Sequence, residues 1–112
     1  MIIPKIHKLK VLLKYYPDIE NELKPFELRK NDRYFQANDY LLLIPYDKEK
    51  QEEMSDCRKI AKITYVLKDA KEFGLMEGYA ILGLKFWACF STEERLIYRL
   101  IEAGKINSED KW

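Results

Sequence analysis

From Ile6 to Leu12 polar and apolar positions alternate: His7, Leu9 and Val11 share one face, and Lys8 and Lys10 take the other, which is the period of a half-buried strand. Pro17 suits a first helical turn, acidic residues follow where the helix dipole favours them, and Ile19 and Leu23 sit one turn apart, so a short helix is expected next. Pro25 ends it. Phe26-Glu27-Leu28-Arg29 alternates again, which predicts Phe26 and Leu28 inward and Glu27 and Arg29 on the opposite face. Lys30-Asn31-Asp32-Arg33 and Asn38-Asp39 have turn chemistry, because Asn and Asp bond their own backbone and tolerate left-handed conformations. Tyr40-Leu41-Leu42-Leu43-Ile44 is a nearly continuous apolar run, the mark of a strand buried on both faces, and Pro45 is expected to stop it.

Residues 47–56 are dense in charge without an apolar face and read as an exposed loop. Residues 59–67 form a β-branched, partly alternating strand, and residues 68–77 a loop closed by Gly74 and Gly78. Residues 79–87 give the last strand, with Gly83 marking a bulge or bend. Ser91-Thr92-Glu93-Glu94 is a capping box, and Leu96, Ile97, Leu100 and Ile101 give the apolar stripe of an amphipathic helix that Gly104 would stop. The order predicts an α+β fold: a small mixed or closed β-barrel over residues 1–88, with a helical extension over 89–112 packed on the same domain.

Composition narrows the function. A chain of 112 residues with 47% hydrophobic content is one domain with room for one core. The net charge of +1 excludes a protein-wide basic field, although Lys5, Lys8, Lys10, Lys14, Lys24, Arg29, Lys30 and Arg33 bunch early and leave room for a local basic cleft. One histidine and two cysteines far apart make a zinc site improbable, so no metal and no cofactor is expected, and the thiols read as free in a reducing compartment. No segment has the order of a signal peptide or the length of a membrane span, so a cytoplasmic protein without a membrane partner is expected.

The chemistry concentrates between Lys24 and Arg33. Strand period puts Glu27 and Arg29 on one face, Lys24 enters from the preceding turn, and Asn31, Asp32 and Arg33 follow in the next. Guanidinium groups suit phosphate, and a carboxylate or an amide suits a base edge, although surface ion pairs on a barrel rim would show the same pattern. Lys24-x-x-Glu27-x-Arg29 resembles the signature of ASCH domains of the PUA-like superfamily, with Glu22 at the signature's glycine. A longer stretch is similar to a bacterial and phage family of ASCH-like domains: the opening His7-Lys8-Leu9-Lys10, then Phe26-Glu27-Leu28-Arg29-Lys30-Asn31-Asp32-Arg33, then Gly78-Tyr79-Ala80-Ile81-Leu82-Gly83-Leu84. The resemblance covers about residues 6–84 and implies a PUA-like barrel whose cleft, lined by the motif residues, takes RNA.

Three functions follow. A binding module would hold RNA or a nucleotide-like ligand through Lys10, Lys24, Glu27, Arg29, Asn31, Asp32 and Arg33. A small amidohydrolase acting on a modified nucleoside, which one ASCH branch resembles, would use Lys24 and Glu27 as the reactive pair with His7 assisting, although Glu27 stands where that branch carries Thr. A phage accessory protein would instead present its C-terminal helix to a protein partner. Tyr15, Tyr16, Tyr34 and Tyr65 are candidate stacking platforms.

Overall fold

The computed structural model of the chain describes residues 4–54 and 59–86, the isolated position Arg99, and the backbone of residues 107–110. The alternating first segment forms β1 (Lys5–Leu12), and the Pro17 segment forms the one-turn α1 (Tyr16–Glu20). Strands β2 (Phe26–Lys30), β3 (Tyr40–Asp47), β4 (Glu52–Glu53), β5 (Lys59–Leu67), β6 (Tyr79–Phe86) and β7 (Asn107–Asp110) follow, with a short 3-10 turn at Lys71–Phe73. All strands join one sheet in the order β2-β6-β5-β3-β1-β7, with the two-residue β4 beside β3. The β1–β3 and β1–β7 pairs are parallel and the others antiparallel. A mostly-strand fold with little helix was legible in the alternation.

The core lies on the inner face of this sheet. Leu9 and Val11 of β1, Leu41 and Leu43 of β3, Ala61 and Ile63 of β5, and Ala80, Leu82 and Leu84 of β6 pack with Tyr16, Ile19 and Phe35. Both faces of β3 are buried, as its unbroken apolar run requires.

A closed barrel is not shown, because the sheet ends at β2 on one side and β7 on the other and, among the described residues, no ladder joins these two edges. The sheet nevertheless curls. Four strand spacings of about 4.8 Å would hold β2 and β1 far apart in a flat sheet. Yet Arg29 Nη2, on β2, lies 2.6 Å from the Lys10 carbonyl, and Arg33 Nη1, just beyond β2, lies 2.7 Å from that of Lys8. Two guanidinium groups therefore tie the β2 end of the sheet to β1 carbonyls at and just beyond Lys8, the last β1 residue that β7 pairs.

Two expectations are corrected. Pro45 does not stop β3, which runs on to Asp47. The Pro45 carbonyl accepts from Met54 N at 2.9 Å, so the missing N–H falls on that same side and costs the β1 ladder nothing. On β2 the faces are inverted: Glu27 is buried, while Phe26 and Leu28 are 44% and 55% exposed. Alternation separates two faces without saying which points inward, and ion pairing lets the polar one go in. The irregularity near Gly83 falls on its neighbour β5, where the register shifts between Ile63 and Tyr65. Apart from the single position Arg99, the predicted helix over 91–104 lies outside the described residues, as do both cysteines and both tryptophans, while residues 107–110 of the expected helical extension form the strand β7. No helix among the described residues is long and apolar enough to cross a membrane.

Candidate functional site

The seam between β1 and β2 is a cleft of about 490 Å³, walled by Lys10, Val11 and Leu12 on one side, Phe26, Glu27, Leu28 and Arg29 on the other, and Tyr15 and Lys24 at its end. Its centre is Glu27, 3% exposed. Lys24 Nζ donates to Oε1 at 2.8 Å, and Arg29 Nε donates to Oε2 at 3.0 Å. Each carboxylate oxygen thus has its own cation, which is what lets the group leave water. Arg29 then passes a second N–H to the Lys10 carbonyl, so one side chain ties the buried charge to the far wall.

Lys24 is placed by a backbone turn. Leu23 N bonds the Asp18 carbonyl and Glu22 N that of Ile19, the paired bonds of a Schellman helix end. Its left-handed position belongs to Glu22, at φ 60°. A glycine would take this conformation without strain. Glu22 is held instead by a 3.6 Å ion pair with Lys59. The turn delivers the Lys24 ammonium between two rings, 5.3 Å from the centre of Tyr15 and 5.4 Å from that of Phe26.

The remaining sequence candidates go elsewhere. Asn31 makes the next turn, where its Oδ1 accepts from Phe35 N at 3.3 Å. The left-handed residue of that turn is Tyr34, at φ 51°, rather than Asn31 or Asp32. Asp32 is exposed, and Arg33 is buried against the Lys8 carbonyl. None of these three lines the cleft.

His7 also lies apart from it. The ring is fully buried, edge-on to Phe35 at 4.7 Å, with Nε2 3.0 Å from Asp39 Oδ2. Asp39 further accepts from Lys5 N and Gln36 N, both at 3.1 Å. This knot fastens the start of β1 to the turn before β3, where Asn38 takes φ 78°. His7 therefore cannot assist Lys24 and Glu27 at the seam. Sequence reasoning missed Phe26 as a wall of the cleft, because its place in an alternating strand pointed inward. Among the described residues, no cluster of three or more His, Cys, Asp or Glu side chains could hold a metal ion.

The molecule is thus a small β-rich domain whose one curled sheet leaves a charged, aromatic-rimmed seam. The family model described as "Domain of unknown function (DUF3850)" matches residues 6–84, and the chain belongs to that family. The match contains every residue that lines the seam. No curated protein matches the chain.

Proposed function

We propose that this is an ASCH-like domain of the PUA-like superfamily and that its seam holds RNA or a nucleotide-like ligand. One observation carries the reading: Lys24, Glu27 and Arg29, the three positions that resemble the ASCH signature, converge on a single buried carboxylate at the wall of a cleft. A volume of about 490 Å³ suits a ligand of nucleotide size. Lys10, Lys24 and Arg29 against Glu27 leave the lining cationic, and the half-exposed rings of Tyr15 and Phe26 offer faces on which a base can stack. Lys24 is the natural phosphate or carbonyl contact. Its ammonium has three donors, and Glu27 takes one. Arg29 acts as the brace that fixes Glu27.

Hydrolysis of an N-acylated nucleoside would need a reactive pair at Lys24 and Glu27, but these two are bonded to each other and Arg29 holds the second Glu27 oxygen. His7 lies in a different knot. Binding is therefore the reading we adopt. The test is an amide-resolved NMR titration at low salt with a panel of mononucleotides and nucleosides. Shifts confined to residues 10–12, Tyr15 and 24–29, abolished by Lys24→Ala, are expected. If no member binds more tightly than about 1 mM under conditions where phosphate contacts are strongest, the cleft is not a nucleotide site.

A further inference from the structure

The inversion of β2 leaves a second surface that starts at the rim of the cleft and extends across β6 and β5. Cross-strand register places Phe26, Gly83 and Tyr65 in one row and Leu28, Ile81 and Leu67 in the next, across β2, β6 and β5. Directly paired residues point to the same side of a sheet, and Leu82 and Val66, which alternate with these rows, pack into the core. Both rows therefore lie on the outer face. Tyr65 is 65% exposed, and Phe26 and Leu28 are also open. Between Phe26 and Tyr65 stands Gly83, which has no side chain to fill the space between the two rings. A Cβ built there would come within 3.2 Å of Thr64 Oγ1, so the β5 bulge itself favours glycine and keeps the gap open.

The charge on this face is one-sided. Lys30 continues the Phe26–Leu28 row, and Lys62 and Lys85 are paired with each other at the far end. No carboxylate occupies an outer position among residues 26–30, 62–67 and 79–85, in a chain that carries 19 acidic residues against 20 basic ones. None of the three lysines forms an ion pair with another described residue. An apolar face alone would fit a protein partner. Two open aromatic rings flanking a glycine, framed by lysines only, fit a chain of bases on a phosphate backbone.

We infer that the outer face of β2, β6 and β5 is a platform for single-stranded nucleic acid: bases stack on Phe26 and Tyr65, and Lys30, Lys62 and Lys85 meet the phosphates. The platform touches the seam along β2, at Phe26 and Leu28, which belong to both. A strand lying on it can enter the cleft by one end, but its binding does not depend on the cleft being a nucleotide site.

The experiment is fluorescence anisotropy of the full chain with a labelled twelve-nucleotide oligouridylate and its DNA counterpart, alongside the mononucleotide titration of the seam. Tyr65→Ala is expected to weaken the oligonucleotide about tenfold or more. The Lys62→Glu/Lys85→Glu double variant is expected to weaken it and to flatten the slope of log K against log salt by about 1.4, at roughly 0.7 per phosphate contact on a single strand. Neither variant should alter mononucleotide shifts at the seam, and Lys24→Ala should alter those alone. The double variant changes only surface charge and keeps the test open if Tyr65→Ala fails to fold. Oligonucleotide affinity unmoved by either variant, or no binding at 50 mM salt, where such contacts are strong, overturns the platform whatever the seam does. A dimer by sedimentation that Tyr65→Ala dissociates, with nucleic-acid binding unchanged, would reassign the face to self-association.

Discussion

Glu27 and Asp39 are both carboxylates withdrawn from water, at 3% and 6% exposure, and they are held by different kinds of partner. Asp39 is bonded by two backbone amides, Lys5 N and Gln36 N, and by the fully buried His7. Those donors are fixed to a strand and a turn, so the group is a fastener with nowhere to go. Glu27 is bonded by two long side chains, Lys24 and Arg29, each about one-fifth exposed and each lining the seam. Lys24 can turn its remaining donors toward a ligand while Arg29, tied to the Lys10 carbonyl, keeps the carboxylate in place. A buried charge held by backbone serves architecture, and one held by side chains at an opening can serve recognition.

The largest expected effect is at the fastener. Asp39→Ala removes the acceptor of three bonds and should cost about 3 kcal/mol of unfolding free energy in urea, with seam binding kept below the melting transition. A loss under about 1 kcal/mol, within the range of a surface change, would erase the distinction. Next comes Glu27→Gln, which leaves Lys24 and Arg29 facing a neutral amide. We expect it to cost about 2 kcal/mol by the same measurement, with perturbed seam amides in a spectrum that is otherwise native. Lys24→Ala should separate function from stability: nucleotide affinity should fall about tenfold, the worth of one charge-assisted contact, while stability moves by about 1 kcal/mol or less. An equal loss in both readouts would make Lys24 a second fastener. The smallest effect, and one of opposite sign, is at the turn that aims Lys24. Glu22→Gly relieves a left-handed non-glycine residue and should raise stability by about 0.5–1 kcal/mol, less the weak pair with Lys59.

Much of this fold could be read before any coordinates. The alternation in residues 6–12, the continuous run at 40–44 and the β-branched segment at 59–67 all became strands near the expected bounds. Local period and side-chain shape suffice for that. Where proline was read as a full stop, at Pro45, the strand continued, because the direction of the missing N–H depends on which neighbour lies on which side. The site was half legible. Lys24, Glu27 and Arg29 lie within six residues and were singled out together, and the turn and strand bring them to one cleft. Asn31 and Arg33, only slightly further along, were singled out with them and went to a turn and to a sheet edge.

What the sequence determined by itself is the set of elements and the chemistry available: alternating strands, a proline-started turn of helix, and a cationic cluster around one glutamate. These follow from interactions within a few residues, which composition and spacing encode directly. The tertiary structure alone decided which face of β2 points inward, that Arg29 and Arg33 reach the Lys10 and Lys8 carbonyls of β1, and that His7 meets Asp39 across 32 positions. Period-2 alternation is symmetric between the two faces. The symmetry is broken only when the sheet curls and offers the buried carboxylate its two cations.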